Sequence, residues 1–348
     1  MPLRMPRVVS NRAAVALIGA TAVLSSGALP RAAEPHLRNI RQLTFGGQNA
    51  EAYFSHDGKR IIFQSTRDGR TCDQQYVMNV DGSNVRRISV GYGKTTCGYF
   101  FAGDDRVFFA STHAVDTACP PRPDPSKGYV WRLDPYDIYT ANADGSNLRR
   151  LTNNGVYTAE GTLSPDGRTI VFTSLKDGDL DIYTMNVDGT NVRRLTNTPG
   201  YDGGPFFSPD GKQIVYRAWH PTDTALTNYR ELLGQRLVRP NRMEIWVMNA
   251  DGSNQHRITN LGGANFAPYF TPDGKRIIFS SNYKNPHSRN FDLFLVNADG
   301  SGLEQVTDHP EFDGFPMFSP DGSKLIWAAN RNGSSIEQLD IYIADWVN

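Results

Sequence analysis

The sequence predicts an all-β protein, a six-bladed β-propeller with four antiparallel strands in each blade. Three observations predict this fold. A block of β-branched and aromatic runs separated by two tight-turn signatures recurs six times along the chain. The block has the pattern of a short antiparallel meander. The chain also begins with a copy of the block's last strand and ends without one.

The clearest block runs from Leu163 to Thr196. Its first turn is Ser164-Pro165-Asp166-Gly167 and its second contains Asp188-Gly189. In such turns proline fixes one φ angle, aspartate bonds to the local backbone, and glycine accepts the positive φ that closes the hairpin. The runs before, between and after these turns predict four strands, which we call a to d from the propeller axis outward.

Both turns recur at regular intervals. The first returns as Ser55-His56-Asp57-Gly58, Gly103-Asp104-Asp105, Ser208-Pro209-Asp210-Gly211, Thr271-Pro272-Asp273-Gly274 and Ser319-Pro320-Asp321-Gly322. The second returns at Asp81-Gly82, Asp144-Gly145, Asp251-Gly252 and Asp299-Gly300. Six linked copies of one supersecondary unit predict a propeller.

The two ends of the repeat array complement each other. Residues 40–44 read as an outer strand d that precedes the first block, and residues 341–346 end the last block without one. Pairing of the two segments would close the ring and remove the open sheet edges of a linear array.

The repeated sequence motifs resemble those of the TolB-type, WD40-like β-propeller family over roughly Ile40 to Trp346. The motifs are Ser-Pro-Asp-Gly and Asp-Ile-Tyr…Asp-Gly-Ser-Asn…Arg-Arg-Leu-Thr. The resemblance implies one propeller domain over residues 38–348, without the α/β domain that precedes it in TolB. It also implies a role in the cell envelope, because TolB binds the peptidoglycan-associated lipoprotein through its propeller. We therefore expect an envelope protein, or a polysaccharide or peptidoglycan-associated partner, bound by a monomer.

The N-terminal segment has the form of a secretory signal peptide. Arg4, Arg7 and Arg12 precede an apolar run that ends near Leu24, and small residues follow. This predicts a signal peptide over residues 1–33, cleaved after about residue 28 to 33, and a periplasmic or secreted protein. The run is shorter than the ~20 residues of a membrane span, so we expect no transmembrane span in the mature chain.

The charge balance argues against nucleic-acid binding. The formal net charge is zero, and loss of Arg4, Arg7 and Arg12 leaves 33 basic against 36 acidic residues. A protein that binds nucleic acid needs a basic patch or stripe, and the sequence contains none.

Strand alternation separates two faces of the propeller. The a–b and c–d hairpins lie at one end, the turn face, whereas the b–c loops and the d–a crossovers lie at the other, the loop-rich face. Three b–c loops are enlarged: residues 111–135 of blade 2, which are proline-rich, residues 220–242 of blade 4, which include a short helix, and residues 282–290 of blade 5. Variable loops on rigid strands predict binding at the loop-rich face.

Two rows of residues in the crossovers approach the channel mouth. Six residues before each a–b turn stand Asn49, Thr95, Thr158, Asp202, Asn265 and Asp313; four before it stand Glu51, Cys97, Glu160, Gly204, Ala267 and Phe315. We expect Asn49, Glu51, Glu160, Asp202, Asn265 and Asp313 to bind a ligand. Asp202, Asn265 and Asp313 could hold Ca²⁺; alternatively, such side chains bond to the local backbone.

Aromatic residues occupy the same crossovers, one for each blade: Phe45, Tyr92, Tyr157, Tyr201, Phe266 and Phe312. They form either a stacking rim for a ligand or wedges between neighbouring blades.

Histidines support an alternative function. His113, His220, His287 and His309 all map to the loop-rich face. If they converge, they would suit a transition metal. The blades also resemble those of oligogalacturonate lyases, which have a His-rich metal site. The alternative is therefore a metal-assisted polysaccharide lyase or hydrolase, with His113, His309, Glu51 and Glu160 as its catalytic groups. The sequence leaves open whether the protein is an enzyme.

Three cysteines, Cys72, Cys97 and Cys119, map to one sector of the loop-rich face. In an exported protein they predict one disulfide and one remaining thiol, and the pairing cannot be deduced.

Overall fold

Six four-stranded antiparallel sheets, one for each blade, form the protein. The structure is a computed structural model and describes residues 34–335 and 337–347. The signal peptide predicted over residues 1–33 lies outside the described residues. The sheets confirm the predicted all-β, six-bladed propeller.

The strands follow in chain order, beginning with β1 (Leu37–Gln42). Blade 1 contains β2 (Asn49–Phe54), β3 (Arg60–Ser65), β4 (Gln74–Asn79) and β5 (Arg86–Arg87). Blade 2 contains β6 (Thr95–Phe100), β7 (Arg106–Ser111), β9 (Asp137–Asn142) and β10 (Arg149–Arg150), with β8 (Trp131–Arg132) in its insert. Blade 3 contains β11 (Thr158–Leu163), β12 (Thr169–Ser174), β13 (Asp181–Asn186) and β14 (Arg193–Arg194).

Blade 4 contains β15 (Tyr201–Phe207), β16 (Gln213–Trp219), β18 (Glu244–Asn249) and β19 (His256–Arg257), with α1 (Asp223–Gly234) and β17 (Leu237–Val238) in its insert. Blade 5 contains β20 (Asn265–Phe270), β21 (Arg276–Ser281), β22 (Asp292–Asn297) and β23 (Glu304–Gln305). Blade 6 contains β24 (Asp313–Phe318), β25 (Lys324–Ala329) and β26 (Asp340–Trp346).

The first strand closes the ring. β1 pairs antiparallel with β26, with Leu37 opposite Trp346 and Gln42 opposite Tyr342. The sheet order β1-β26-β25-β24 makes β1 the outer strand of blade 6. The pairing of the two chain ends predicted from the sequence is therefore confirmed.

A side-chain hydroxyl at the outer edge of each blade forms a hydrogen bond that explains the repeated Leu-Thr motif. In blade 3 the Oγ1 of Thr196 accepts the backbone N–H of Ile182 at 2.9 Å and donates to Asp181 at 3.3 Å. The same backbone bond is accepted in the other blades by Thr44, Ser89, Thr152, Thr259 and Thr307. This bond ties the short strand d to strand c, whose first N–H groups would otherwise be unpaired.

Every innermost strand contains a β-bulge at the same place, shown by a register shift against strand b. At each bulge one residue has a left-handed backbone: Glu51 (φ 49°), Cys97 (52°), Glu160 (59°), Gly204 (60°), Ala267 (50°) and Phe315 (58°). Five of the six are not glycine, although this conformation is unfavourable for side-chain-bearing residues. A bulge bends its strand and re-aims side chains, so the same six positions turn toward the axis.

Aromatic rings plug the channel on the turn-face side of the bulges. Tyr53, Tyr99, Phe206 and Tyr269 each follow the bulge of their own blade by two residues. The ring centroids of Tyr53 and Tyr99 are 5.7 Å apart, and those of Phe206 and Tyr269 are 5.2 Å apart. Because strand a runs from the loop-rich face to the turn face, this plug forms the floor below the bulge residues.

The inserts of blades 2 and 4 meet above the channel. Their strands β8 and β17 form a separate two-stranded sheet, with Trp131 opposite Val238. The predicted helix is α1; Thr222 occupies its N-cap position but makes no capping bond with its side chain. No helix in residues 34–335 and 337–347 has the length and apolar character that crossing a membrane requires.

The Thr196 contact can be tested by substitution. Thr196→Val keeps the shape of the side chain but leaves the N–H of Ile182 and a carboxylate oxygen of Asp181 without their partner, at a cost of about 1–3 kcal/mol. We expect that loss in the free energy of urea unfolding. Thr198→Val, at an exposed crossover position, is the control and should change stability by less than about 0.5 kcal/mol. Equal effects of the two substitutions would contradict this role.

Candidate functional site

The row of oxygen-bearing residues at the start of each strand a is buried and hydrogen-bonded. His220 Nε2 lies 2.9 Å from Asp202 Oδ1, Asn265 donates to the carbonyl of Met243 at 2.8 Å, and Trp327 donates to Asp313 at 2.9 Å. Other members of the row make comparable bonds: Asn49 to the Leu339 carbonyl, Thr95 to the Asp73 carbonyl and Thr158 with Ser174. These bonds hold the start of strand a against strand b of its own blade or against the preceding blade. Asn49 and Asn265 also donate to carbonyls three residues earlier in the chain.

Metal-ligating groups do not cluster in the part of the chain that the structure describes. Among those residues, no group of three or more His, Cys, Asp or Glu side chains is placed to hold a metal ion. Of the residues expected to hold Ca²⁺, Asp202 contacts His220, and Asp313 accepts hydrogen bonds from Trp327 and Arg331.

The six bulge residues line a cavity on the propeller axis. Glu51, Cys97, Glu160, Gly204, Ala267 and Phe315 all border it. Its volume is about 30 Å³, which is room for one or two water molecules. Part of its floor is formed by Tyr53 and Phe206 of the plug. The cavity is therefore too small for a sugar ring or a peptide.

A buried ion pair joins blades 3 and 4 at this cavity. The Nη2 of Arg217 bonds to Glu160, and the two side chains are 9% and 12% exposed. Arg217 also donates from Nε to the hydroxyl of Tyr201 at 3.0 Å. The second carboxylate oxygen of Glu160 accepts the N–H of Gly204, the bulge residue of the next blade, at 2.8 Å. The polar atoms of this pair thus have the partners that burial requires.

Glu51 makes the equivalent contact between blades 1 and 2. Its Oε2 accepts the N–H of Cys97 at 3.1 Å. Burial raises the pKa of Glu51, and only the bond with Cys97 and the more distant Arg217 oppose that effect. Burial, together with the nearby carboxylates of Glu51 and Glu160, raises the pKa of the Cys97 thiol well above its usual value. Cys97 is consequently an unreactive thiol.

The two inserts cover this site with an aromatic cap. The guanidinium of Arg217 lies over the ring of Trp131, 5.2 Å from its centroid. Trp131 in turn packs edge-on against Phe266 of the blade 5 crossover, with centroids 6.1 Å apart. A residue of blade 2 thereby contacts blades 4 and 5 across the channel mouth.

Several contacts hold the cap in place. Cys72 and Cys119 form the disulfide, which joins the b–c loops of blades 1 and 2, and Cys97 is free and buried. The hydroxyl oxygen of Tyr229, on α1, lies 2.6 Å from Asp179 Oδ1 and 2.7 Å from the carbonyl oxygen of Gly200. The inserts are therefore tied to the scaffold through covalent and buried polar contacts.

The four histidines of the loop-rich face lie in different blades or crossovers. His113 contacts Ser111 at 2.7 Å and stacks on Tyr139, and burial lowers its pKa. His220 contacts Asp202, His309 accepts the N–H of Glu311 at 3.2 Å, and His287 is exposed in the blade 5 loop. His113 and His220 therefore contact different side chains, in blade 2 and in blade 4.

The crossover aromatics divide into two groups. Tyr201 and Phe266 are buried and wedge neighbouring blades, whereas Phe45 and Tyr92 are 78% and 52% exposed. The inserted loop of blade 2 adds Val115 and Tyr129, at 53% and 62% exposure. These four are the most exposed large apolar side chains in the described part of the chain, and all four lie on the loop-rich face.

Sequence reasoning missed Arg217 and Trp131. The signal for Arg217 was present, because an arginine within the apolar run Ile214–Trp219 predicts a buried cation that needs a partner. The contact of Trp131 with Arg217 had no local signal, since it depends on the pairing of two inserts.

The fold and site together define a six-bladed β-propeller with a plugged, capped channel and an elaborated loop-rich face. The chain belongs to the family of the TolB beta propeller domain, whose family model matches residues 122–229 and 234–345.

Individual relatives agree with this assignment. A TolB homolog of Chlorobium chlorochromatii is 26% identical over 145 residues, which are 42% of this chain and 28% of that protein. The structure of TolB from Acinetobacter baumannii superposes with a TM-score of 0.56 at 17% identity, covering 85% of this chain and 63% of that one. An oligogalacturonate lyase from Vibrio parahaemolyticus superposes with a TM-score of 0.51 at 14% identity, covering 88% and 93%. At these identities the two superpositions show the fold alone.

The two channel carboxylates should respond to substitution in opposite ways. The pKa of Glu51 is higher in the folded than in the unfolded protein, so its contribution to stability falls as the pH rises above about 4. Glu51→Gln removes this titration. We expect the stability of E51Q relative to wild type, measured by urea unfolding, to increase between about pH 5 and about pH 8.

Glu160→Gln is the matched comparison. It leaves buried Arg217 without its carboxylate and should lower stability by about 3 kcal/mol at both pH values. A pH-independent difference between E51Q and wild type would contradict the assignment for Glu51.

Proposed function

We propose that this TolB-like propeller is an exported binding module that docks an envelope protein on its loop-rich face. The observation that carries the proposal is that the four most exposed large apolar side chains of the described residues, Phe45, Tyr92, Val115 and Tyr129, all lie on this face. Exposed apolar side chains that gather in one region of a soluble protein are typical of interaction sites.

The shape of the channel supports binding at the surface rather than inside. Sites for small molecules typically measure about 300–1,000 Å³, whereas the axial cavity measures about 30 Å³. The plug, the Arg217–Glu160 pair and Trp131 fill the axis. A partner would contact the rim formed by the crossovers and the blade 2 insert.

Export to an oxidising compartment is supported by the disulfide. Cys72 and Cys119 are paired, and such bonds persist in the periplasm and outside cells but are rare in the cytosol. Together with the signal peptide expected over residues 1–33, this favours a periplasmic or secreted protein.

The metal-assisted lyase or hydrolase is not advanced as a second function. It would need converging ligands, and among the described residues no group of three or more His, Cys, Asp or Glu side chains is placed to hold a metal ion. Glu160, its expected acid or base, is occupied by Arg217 and by the N–H of Gly204.

Binding can be measured with the soluble domain of a peptidoglycan-associated lipoprotein from the same organism. We expect saturable binding by calorimetry, weakened at least about tenfold in a Phe45→Ala, Tyr129→Ala double variant, because each substitution removes about 1–2 kcal/mol of apolar contact. Val192→Ala, which truncates an exposed apolar residue after a turn-face hairpin, is the control and should bind as wild type does. Equal binding by all three proteins would exclude the rim as the docking site. A lack of binding by the wild type would exclude this lipoprotein as the partner.

Export has a separate test. Expression of the full chain in a Gram-negative host should yield a mature protein in the periplasmic fraction, with an N-terminus between residues 29 and 34 by terminal sequencing. Its non-reducing peptide map should contain Cys72 linked to Cys119. An uncleaved protein retained in the cytosol, with three reduced cysteines, would contradict export.

A further inference from the structure

A cleft lies between blades 3 and 4 on the turn face, on the side opposite the proposed docking rim. Its volume is about 330 Å³. Blade 3 contributes the turn residues Pro165 and Asp166 together with Thr169, and blade 4 contributes Phe207 and Gly211. This size falls within the range of sites for small molecules and peptide side chains.

Strand b of blade 3 departs from the repeat at this cleft. The first residue of strand b is long in five blades: Arg60, Arg106, Gln213, Arg276 and Lys324. In blade 3 the same position is Thr169. Thr169 lines the cleft, and its short side chain leaves this part of the boundary between blades 3 and 4 without a long side chain such as Arg60.

The pair formed by blades 1 and 2 shows what occupies that space. The guanidinium of Arg60 lies over the ring of Phe100, 5.3 Å from its centroid. The same group donates a hydrogen bond to the backbone carbonyl of Asp104. A cation over an aromatic face gains electrostatic attraction, and a guanidinium can stack and donate at the same time.

Blades 3 and 4 contain an equivalent aromatic ring and backbone carbonyl, but no residue equivalent to Arg60. Phe207 corresponds to Phe100, because each follows its bulge residue by three positions, and Gly211 corresponds to Asp104. Phe207 is partly exposed, whereas the residues of this row in the other blades are at most 6% exposed: Phe54, Phe100, Leu163, Phe270 and Phe318. Phe207 and the Gly211 carbonyl thus border the cleft.

The charges at the cleft favour a cation. Asp166 and Asp210 line it, and bonds from the neighbouring hydroxyls of Ser164 and Ser208 and from backbone N–H groups lower the pKa of both carboxyls. Both are therefore ionised at neutral pH. Two carboxylates and one guanidinium, that of Arg193, therefore line the cleft, and the ammonium of Lys212 lies 3.6 Å from Asp210.

We propose that this cleft binds the guanidinium of an arginine in a partner peptide, which takes the place that Arg60 occupies between blades 1 and 2. The guest side chain stacks on Phe207 and donates to the carbonyl of Gly211. The remaining volume accommodates the adjoining peptide units along Pro165 and Asp166. The cleft is a second binding site, independent of the rim on the opposite face.

The test uses acetyl-Gly-Arg-Gly-amide as probe, titrated by calorimetry into the protein over residues 34–348. We expect one site, with affinity at least about tenfold higher than for acetyl-Gly-Lys-Gly-amide, because lysine lacks the planar, forked donor. Thr169→Arg supplies the missing side chain internally and should weaken binding of the arginine peptide at least about tenfold. It should fold, since three other blades carry arginine at that position.

Arg60→Thr is the complementary variant. It should empty the equivalent space between blades 1 and 2 and raise the stoichiometry for the arginine peptide from one to two. Phe207→Ala should weaken binding through loss of the aromatic face, and thermal unfolding checks that each variant is folded.

Three results would overturn the proposal: no saturable binding of the arginine peptide, equal affinity for the lysine peptide, or unchanged binding by T169R. A neutral disaccharide is titrated in parallel. If the wild type binds the disaccharide but not the arginine peptide, and T169R binds neither, the cleft is a carbohydrate site. That result would overturn the proposal that it binds a guanidinium.

Discussion

The arrangement of the site depends on one constraint, the left-handed residue in the bulge of each innermost strand. Six such residues, at equivalent positions, turn toward the axis together and line the cavity. The bulge interrupts pairing with strand b, so its N–H groups need other partners. Glu51 and Glu160 supply them for Cys97 and Gly204 of the following blades. The carboxylates that sequence reasoning offered as catalytic groups thereby join neighbouring blades.

This use of the channel determines where function lies. An axis filled by the aromatic plug, the Arg217–Glu160 pair and Trp131 leaves room for little more than water. Binding is then left to surfaces where the repeat is broken: the inserts and crossovers on one face, and the missing long side chain at Thr169 on the other. Since the regular positions of the repeat serve the scaffold, its irregular positions are the ones available for recognition.

The sequence predicted the fold well because turn chemistry and strand patterns are local. The ring closure followed from the spare strand at residues 40–44, and counting back from each turn identified the row that lines the channel. The partners of that row could not be predicted, because the bond between Asp202 and His220 and the contact between Trp131 and Arg217 depend on loops folding back over the axis. The role of Thr169 could not be predicted either, because it depends on the partly exposed ring of Phe207 in the next blade, which lines the same cleft.

The most direct test of the account is a hydrogen–deuterium exchange footprint of the protein with the soluble domain of the peptidoglycan-associated lipoprotein. Docking on the rim predicts slowed exchange in residues 44–48, 91–94 and 112–130, with exchange in the a–b turns unchanged. Protection confined to the a–b turns of the opposite face, with the loop-rich face unprotected, would contradict it.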